Sequence, residues 1–252
     1  DLSQAYSSMA ENVESHRRNS APYYAWIASV LRPFLGRRTL ELGAGPGLLS
    51  AHLSDFDLYV TSETWAPFHR DLEKLCVARQ NMRVLRMDVS ELNGRREELQ
   101  AYRLDSVFST NMLEHIKDDI DALRDMAAVV GSAGRVVNLV PAFRALYGEA
   151  DRSVGHFRRY ERAEIIAKMQ AAGLVVEKVF FFNQAGVLAW WLTNKVLRSK
   201  NTTSGQFKLF NMFVPLFRVA ERVLPTVAGS CLIAVGRLAP AETGQQTYAS
   251  NS

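Results

Sequence analysis

Three acids, a glycine-rich turn and two histidines carry the chemistry this sequence has to offer. The run Glu41-Leu42-Gly43-Ala44-Gly45-Pro46-Gly47 follows the apolar Thr39-Leu40 and precedes Leu48-Leu49-Ser50-Ala51-His52-Leu53. It reads as a strand, a tight glycine turn and a helix start. Glycine admits positive φ and lets a ligand approach the main chain closely. A helix beginning there would point unpaired N–H groups at whatever lies above the turn. Such a turn at the carboxyl end of a strand suits a nucleotide, although by itself it is equally an ordinary strand-to-helix corner. Glu63 stands 20 positions beyond Gly43, after the apolar Leu58-Tyr59-Val60-Thr61. A carboxylate there can accept from both ribose hydroxyls, or serve as a helix-start acid stabilised by the macrodipole. Asp88, with Val89 beside it, ends a third apolar run from Met82 to Met87. Strand-end aspartates are common turn residues, but Glu41, Glu63 and Asp88 together place three acids on one rim.

Proton-handling groups come later in the chain. A fourth strand-like run, Leu104 to Ser109, leads into Thr110-Asn111-Met112-Leu113-Glu114-His115-Ile116. His115 can accept a proton from a hydroxyl or amine, or make a structural hydrogen bond at a helix start. The stretch from Pro141 to Tyr160 lacks periodicity, and long unpatterned loops in compact domains tend to be functional. It offers Tyr147, Asp151, His156, Arg159 and Tyr160. A base beside guanidinium groups would suit an oxygen nucleophile on a substrate bearing carboxylate, phosphate or hydroxyls. Asp151, His156 and Arg159 could also pair with one another to pin the loop, and both uses can hold at once.

The elements that must position these groups follow from periodicity. Leu2, Ala5, Tyr6, Met9 and Val13 share one helical face, and Pro22 is placed to open a second helix with Tyr23, Ile27, Val30, Leu31 and Phe34 inward. These helices lie across the mouth of the pocket or cover a sheet face. Trp65, Phe68, Leu72, Leu75 and Cys76 form a stripe in which Trp65 is expected to pack in the core or, alternatively, to flank the ligand. Further helices are expected from Asp118-Asp119 to Gly131 and from Glu161 to Ala172, and further strands at Arg135–Val140, Leu174–Phe182 and Ser230–Arg237. Between the last two lie some 45 residues whose second half is widely apolar, with Pro215 kinking it or starting a new helix. That face must be buried as a lid, in a dimer or on a membrane surface.

At 252 residues with a net charge of +4, the chain can bury a sizeable core and has no separate basic domain, so nucleic acid is not an expected partner. Cys76 and Cys231 sit in apolar patterns as buried thiols, and the expected setting is cytoplasmic. Expected domains are a helical cover over 1–36, a main domain over 37–238 with an insertion at about 184–228, and a disordered tail over 239–252.

The dinucleotide fingerprint needs a small residue where Leu48 stands. An acid followed by G-x-G-x-G instead resembles motif I of class I S-adenosylmethionine (SAM) methyltransferases. Leu113-Glu114-His115 resembles the segment after strand four in many small-molecule methyltransferases, including the quinone-biosynthesis group. Leu146-Tyr147-Gly148, Asp151 and Gly155-His156-Phe157-Arg158-Arg159-Tyr160 look like a bacterial subgroup associated with glycan or secondary-metabolite pathways. The resemblance, to bacterial small-molecule methyltransferases of type 11/12, covers roughly residues 20 to 238.

It implies an α/β fold: a Rossmann-like, doubly wound seven-stranded sheet with the last strand antiparallel, plus N-terminal helices and a helical insertion between strands six and seven. It implies SAM as cofactor, with Glu41 near the methionine end, Gly43, Gly45 and Gly47 in the turn, and Glu63 on the ribose. Asp88 would meet the adenine amino group, Val89 the ring, and Asn111 and Leu113 would border the cofactor. In part of the quinone group an acid three positions before the glutamate helps bind a divalent metal. Asn111 stands there, and no metal is expected. The implied activity is methyl transfer to a small-molecule acceptor, favoured on oxygen, with His115 or His156 as base and Tyr147 beside them. N- or C-methylation, a silent SAM-binding or membrane-associated scaffold, and an NAD-type dehydrogenase are the alternatives. A homodimer or membrane-surface contact would run through the insertion.

Overall fold

The structure, a computed structural model, describes residues 13–131, 134–191, 204–223 and 226–238. Its helices and strands are α1 (Val13–Leu31), β1 (Arg38–Leu42), β2 (Leu58–Ser62), α2 (Ala66–Val77), β3 (Met82–Leu85), α3 (Arg96–Ala101), β4 (Ser106–Thr110) and α4 (Asp119–Val129). There follow β5 (Arg135–Pro141), α5 (Glu149–Ser153), α6 (Arg162–Ala171), β6 (Leu174–Phe182), α7 (Gln184–Trp191), α8 (Ser204–Val223) and β7 (Cys231–Leu238). The seven strands form one sheet in the order β3-β2-β1-β4-β5-β7-β6. All neighbours run parallel except β7, which is antiparallel to both β5 and β6. This is the expected doubly wound α/β sheet with its last strand reversed.

Successive side chains of a strand point to opposite faces, so a sheet covered on both sides carries apolar residues throughout. Val60, Val107, Val136 and Leu232 belong to the core under α4 and α6. Tyr59, Phe108, Val137 and Ile233 belong to the other, which Trp26, Ile27 and Leu31 of α1 close. The parallel register aligns Leu42 with Ser109, and Ser62 with Leu85. Four strand ends therefore open onto one edge, where the chain reverses between β1 and β4.

Two local expectations need correction, and a third is narrowed. Pro22 lies inside α1 rather than opening a second helix. Burial of Trp26, Ile27 and Leu31 on the sheet outweighs the one backbone donor that Pro lacks. The first stretch expected to be helical, before Val13, lies outside the described residues. After Gly47 there is no α-helix, only a 3-10 turn at Ser50–His52. The Arg79 guanidinium takes the carbonyls of Ser50, Ala51 and Leu53 at 2.8–3.1 Å, so the turn's C-terminal acceptors are satisfied by a side chain instead of a further helical turn. Third, Pro215 sits within α8, so of its two expected uses it does not start a new helix.

Of the insertion, α7 and α8 are described in part. Asn211 and Val214 of α8 are buried against the body, while Met212, Phe213, Leu216, Val219 and Val223 are exposed. No described helix is long and apolar enough to cross a membrane. The tail over 239–252 lies outside the described residues.

Candidate active site

The strand ends border a cavity of about 920 Å³. Its floor is the glycine turn, in which Gly43, Gly45 and Gly47 all have positive φ (63°, 56° and 75°). A side chain at Gly45 would meet nothing within 4 Å, whereas one at Gly47 would run into Leu75 at 2.6 Å. Gly45 thus keeps backbone open to the cavity, and Gly47 permits α2 to pack. The turn is held from β2: Ala44 N–H donates to the Ser62 carbonyl at 3.0 Å, and Gly45 N–H to Glu63 Oε2 at 2.9 Å. Glu63 Oε1 accepts from the N–H groups of Thr64 and Trp65 at 2.8 and 2.9 Å. Glu63 lines the cavity and at the same time ties the two adjoining loops together.

Glu41 lies beneath this floor, not in the cavity lining. It is buried and accepts from the hydroxyls of Ser50 and Tyr59. Burial pushes its carboxyl up to about 7, against the pull of those two hydroxyls. Asp88 and Val89 border the cavity at the third strand end. Asp88 Oδ1 caps the following turn through Ser90 N–H at 3.0 Å, and Glu91 returns to the Asp88 N–H at 2.8 Å. Asn111 lines the fourth end in a left-handed conformation (φ 49°) and donates its N–H to Leu139 at 2.9 Å. Asparagine tolerates that region better than other non-glycine residues. Leu113 is buried behind it and does not line the cavity.

The far wall is made by His115 and His156, which line the cavity together. They meet because the 141–160 loop clasps the turn after β4. Phe157 N–H donates to the Glu114 carbonyl at 2.8 Å, and Tyr160 Oη to Asp119 at 2.8 Å. Arg158 donates to the Lys117 carbonyl at 2.8 Å. The two imidazoles stand edge to face with centroids 4.6 Å apart. His156 Nδ1 is 2.8 Å from Asp151 Oδ1, which also accepts from Arg159 Nε at 2.8 Å. Arg159 and Asp151 are buried, so the loop's central guanidinium pins the loop and does not reach the cavity. Burial pushes the Asp151 carboxyl up, but its bonds to His156 and Arg159 more than offset this and hold it below its ordinary value. Tyr147 also stands behind the wall, its hydroxyl donating to the His156 carbonyl at 2.7 Å.

Burial, then the neighbouring His156, lowers His115 to about 4, so it is a neutral imidazole at physiological pH. Between the histidines lies Glu114, with no exposed surface and with neither carboxylate oxygen hydrogen-bonded. Burial pushes it up to about 8. Glu114 had no assigned role from its residue type. The signal was its place between Leu113 and His115, since a charged residue inside an apolar turn is buried only for a reason. Trp65 takes the less favoured of its two expected places and lines the cavity, and Tyr24 of α1 lines it too.

A doubly wound sheet with a reversed last strand, and an acid-tied glycine turn at its reversal point, define a class I SAM-dependent methyltransferase. The chain belongs to the methyltransferase-domain family, whose model matches residues 14–179, and its cofactor is SAM. No curated protein matches by sequence. Among solved structures it is similar to the partner of the Trm112 methyltransferase activator from Haloferax volcanii, at 14% identity and TM-score 0.61, covering 93% of this chain and 98% of that one. The CcbJ methyltransferase from Streptomyces caelestis matches at 14% identity and TM-score 0.56, covering 86% and 96%. A SAM-dependent methyltransferase from Thermotoga maritima, described as a possible histamine N-methyltransferase, matches at 14% and 0.53, covering 90% and 97%. At such identities the likeness is one of fold.

Proposed function

We propose that this methyltransferase methylates a hydroxyl oxygen of a small molecule, and that the wall carrying His156 receives the acceptor. The observation that carries this is the Asp151–His156 pair at the cavity edge, 2.8 Å apart, with Asp151 anchored in turn by buried Arg159. A carboxylate on Nδ1 fixes the tautomer that leaves Nε2 free to accept a proton. Amines that are already neutral need no such base, whereas a hydroxyl holds its proton tightly.

The donors present fit the cofactor. Gly43, Gly45 and Gly47 give the open backbone a nucleoside-bearing ligand requires, Glu63 stands at the ribose position, and Asp88 and Val89 border the adenine end. Asn111 borders the reacting end, with Leu113 packing behind it and Glu41 fixing the turn from below. When bound, SAM supplies an electrophilic methyl carbon, whose bond to sulfur breaks as the acceptor oxygen's lone pair attacks, leaving S-adenosylhomocysteine. His156 Nε2 takes the acceptor's proton. Neutral His115 borders the same position, and Tyr147 holds His156 through its carbonyl. The rest of the catalysis is alignment inside a cavity walled off by Tyr24 and Trp65.

The test is calorimetric binding of SAM, S-adenosylhomocysteine and NAD, then methyl transfer to matched phenols, alcohols and amines. Micromolar binding of both adenosyl-sulfur ligands with methylation of hydroxyls is the expected result. Methylation of amines alone would overturn the oxygen assignment. On the same reading the exposed Met212, Leu216, Val219 and Val223 stripe is a homodimer or membrane-surface contact, in a cytoplasmic enzyme. Sedimentation with and without anionic vesicles tests that part.

A further inference from the structure

The wall of Glu114, His115 and His156 holds more donors than a proton transfer needs. One ligating atom from each lies within 4.8 Å of the others, and His156 Nε2 is 3.8 Å from Glu114 Oε1. Three donors on bonds of about 2.1 Å to one ion would stand roughly 3–3.5 Å apart. Side-chain rotations of about an ångström close that difference.

Two further observations separate this cluster from mere proximity. His156 has its other ring nitrogen already engaged, Nδ1 by Asp151 at 2.8 Å. Metal-bound imidazoles are held in this way, with an acceptor fixing the tautomer so that the opposite nitrogen presents its lone pair. In addition, Glu114 is wholly buried and neither of its oxygens has a hydrogen-bond partner. Buried carboxylates ordinarily find a hydrogen-bond donor or a directly paired cation; here Arg159 acts on Glu114 only through space and the His156 ring stands 3.8 Å off, so neither is hydrogen-bonded to it.

We propose that Glu114, His115 and His156 bind one divalent transition-metal ion in the cavity wall. Two imidazoles and one carboxylate suit Zn²⁺, Mn²⁺, Fe²⁺ or Co²⁺ better than Mg²⁺ or Ca²⁺, which prefer all-oxygen sites. Three protein ligands leave coordination positions open, and because both histidines line the cavity those positions face it. The ion would hold the acceptor oxygen there as an alkoxide or phenolate, its proton having passed to solvent water before the methyl is transferred. This role rests on the hydroxyl-acceptor proposal. In the loaded protein His156 is a ligand; in the metal-free protein it is the base. Asn111, whose side chain argued against a metal, is not needed, since His156 brings the third donor from the loop.

Full-length, chelator-treated protein is titrated with ZnCl2 by calorimetry. It is then titrated with CoCl2 while visible absorption and long-range histidine ring signals are recorded by NMR. One equivalent of Zn²⁺ at micromolar affinity or tighter is expected. Co²⁺ should give d–d bands and perturb the rings of His115 and His156, but not that of His69, which pairs with Glu73 elsewhere. Glu114→Gln and His156→Ala should each weaken Zn²⁺ binding at least ~100-fold, and Asp151→Asn about 10–100-fold. The wild-type ring signals need no variant, so a variant that fails to fold leaves the test intact. Absence of stoichiometric uptake by protein that binds S-adenosylhomocysteine, or uptake indifferent to Glu114→Gln, overturns the metal site and leaves methyl transfer standing. Zinc uptake accompanied by methylation of amines alone supports the site and overturns the oxygen-acceptor reading instead.

Discussion

The cavity has two walls of different construction. On the β1–β2–β3 side the ligand would meet backbone: a turn of positive-φ glycines, with Glu63 tying Gly45, Thr64 and Trp65 through their N–H groups. On the β4–β5 side it would meet side chains, His115 and His156, delivered by a loop that must fold back over the turn after β4. A wall of backbone at strand ends binds what the fold itself dictates. A wall of side chains held by a buried Asp151–Arg159 pair is set by particular residues, and there acceptor and chemistry can change without disturbing the sheet. The comparison predicts that the two walls can be broken separately.

The largest separation should come from His156→Ala. Loss of a positioned base costs about 10²–10⁴ in turnover on a hydroxyl acceptor, while S-adenosylhomocysteine affinity should stay within about twofold, as measured on one preparation by calorimetry and initial rates. Equal losses in both would show that the walls are one unit. Next comes Glu63→Ala, which removes three backbone hydrogen bonds to a charged acceptor and the carboxylate proposed to meet the ribose. Binding of S-adenosylhomocysteine should weaken ~100-fold, about 2.7 kcal/mol. Affinity unchanged by that substitution would mean that the glycine turn holds its shape alone and that Glu63 touches no ligand.

The same contrast explains what was legible in the sequence. The strands opening at Leu58, Met82, Arg135 and Leu174 begin where their apolar runs begin, and Glu63 and Asp88 fall on the rim because strand and turn signals are local. The pairing of Asp151, His156 and Arg159 was visible only as one of two uses of the loop, because which of them faces the cavity depends on contacts with Glu114, Lys117 and Asp119 far away in the chain. Arg79, remote in sequence from the glycine turn, ends the expected helix after Gly47 by binding three carbonyls, which no local pattern announces. Trp65 sits in a helical stripe by spacing, but it precedes the helix in extended backbone and so turns to the cavity.

Glu41 probes the backbone wall from beneath. Its folded-state carboxyl titrates near 7, raised from 4.5 mainly by burial. The unfolded chain therefore releases this proton first, and the stability it contributes is full below about 4.5 and lost as pH rises through about 7. Glu41→Gln has no proton to lose. In thermal melts from pH 4.5 to 8 the variant should gain on the wild type by about 1–3 kcal/mol, roughly 5 °C for a chain of this length. A constant difference across that range would show that Glu41 ionises with an ordinary affinity and that the floor admits water.

The smallest effect sharpens the other wall. Tyr147 was expected among the catalytic groups, yet its hydroxyl donates to the His156 carbonyl at 2.7 Å from behind the cavity. Tyr147→Phe removes one neutral hydrogen bond and leaves the ring in place, so the melting temperature should fall by about 2–4 °C, ~1 kcal/mol. Turnover should drop only a few-fold, because Asp151 still fixes the tautomer of the imidazole through Nδ1. If turnover instead falls more than ~100-fold with the melting temperature unchanged, the hydroxyl acts on the acceptor itself. The loop would then have to rearrange when the acceptor binds, and the side-chain wall would be assembled by its ligand instead of standing ready for it.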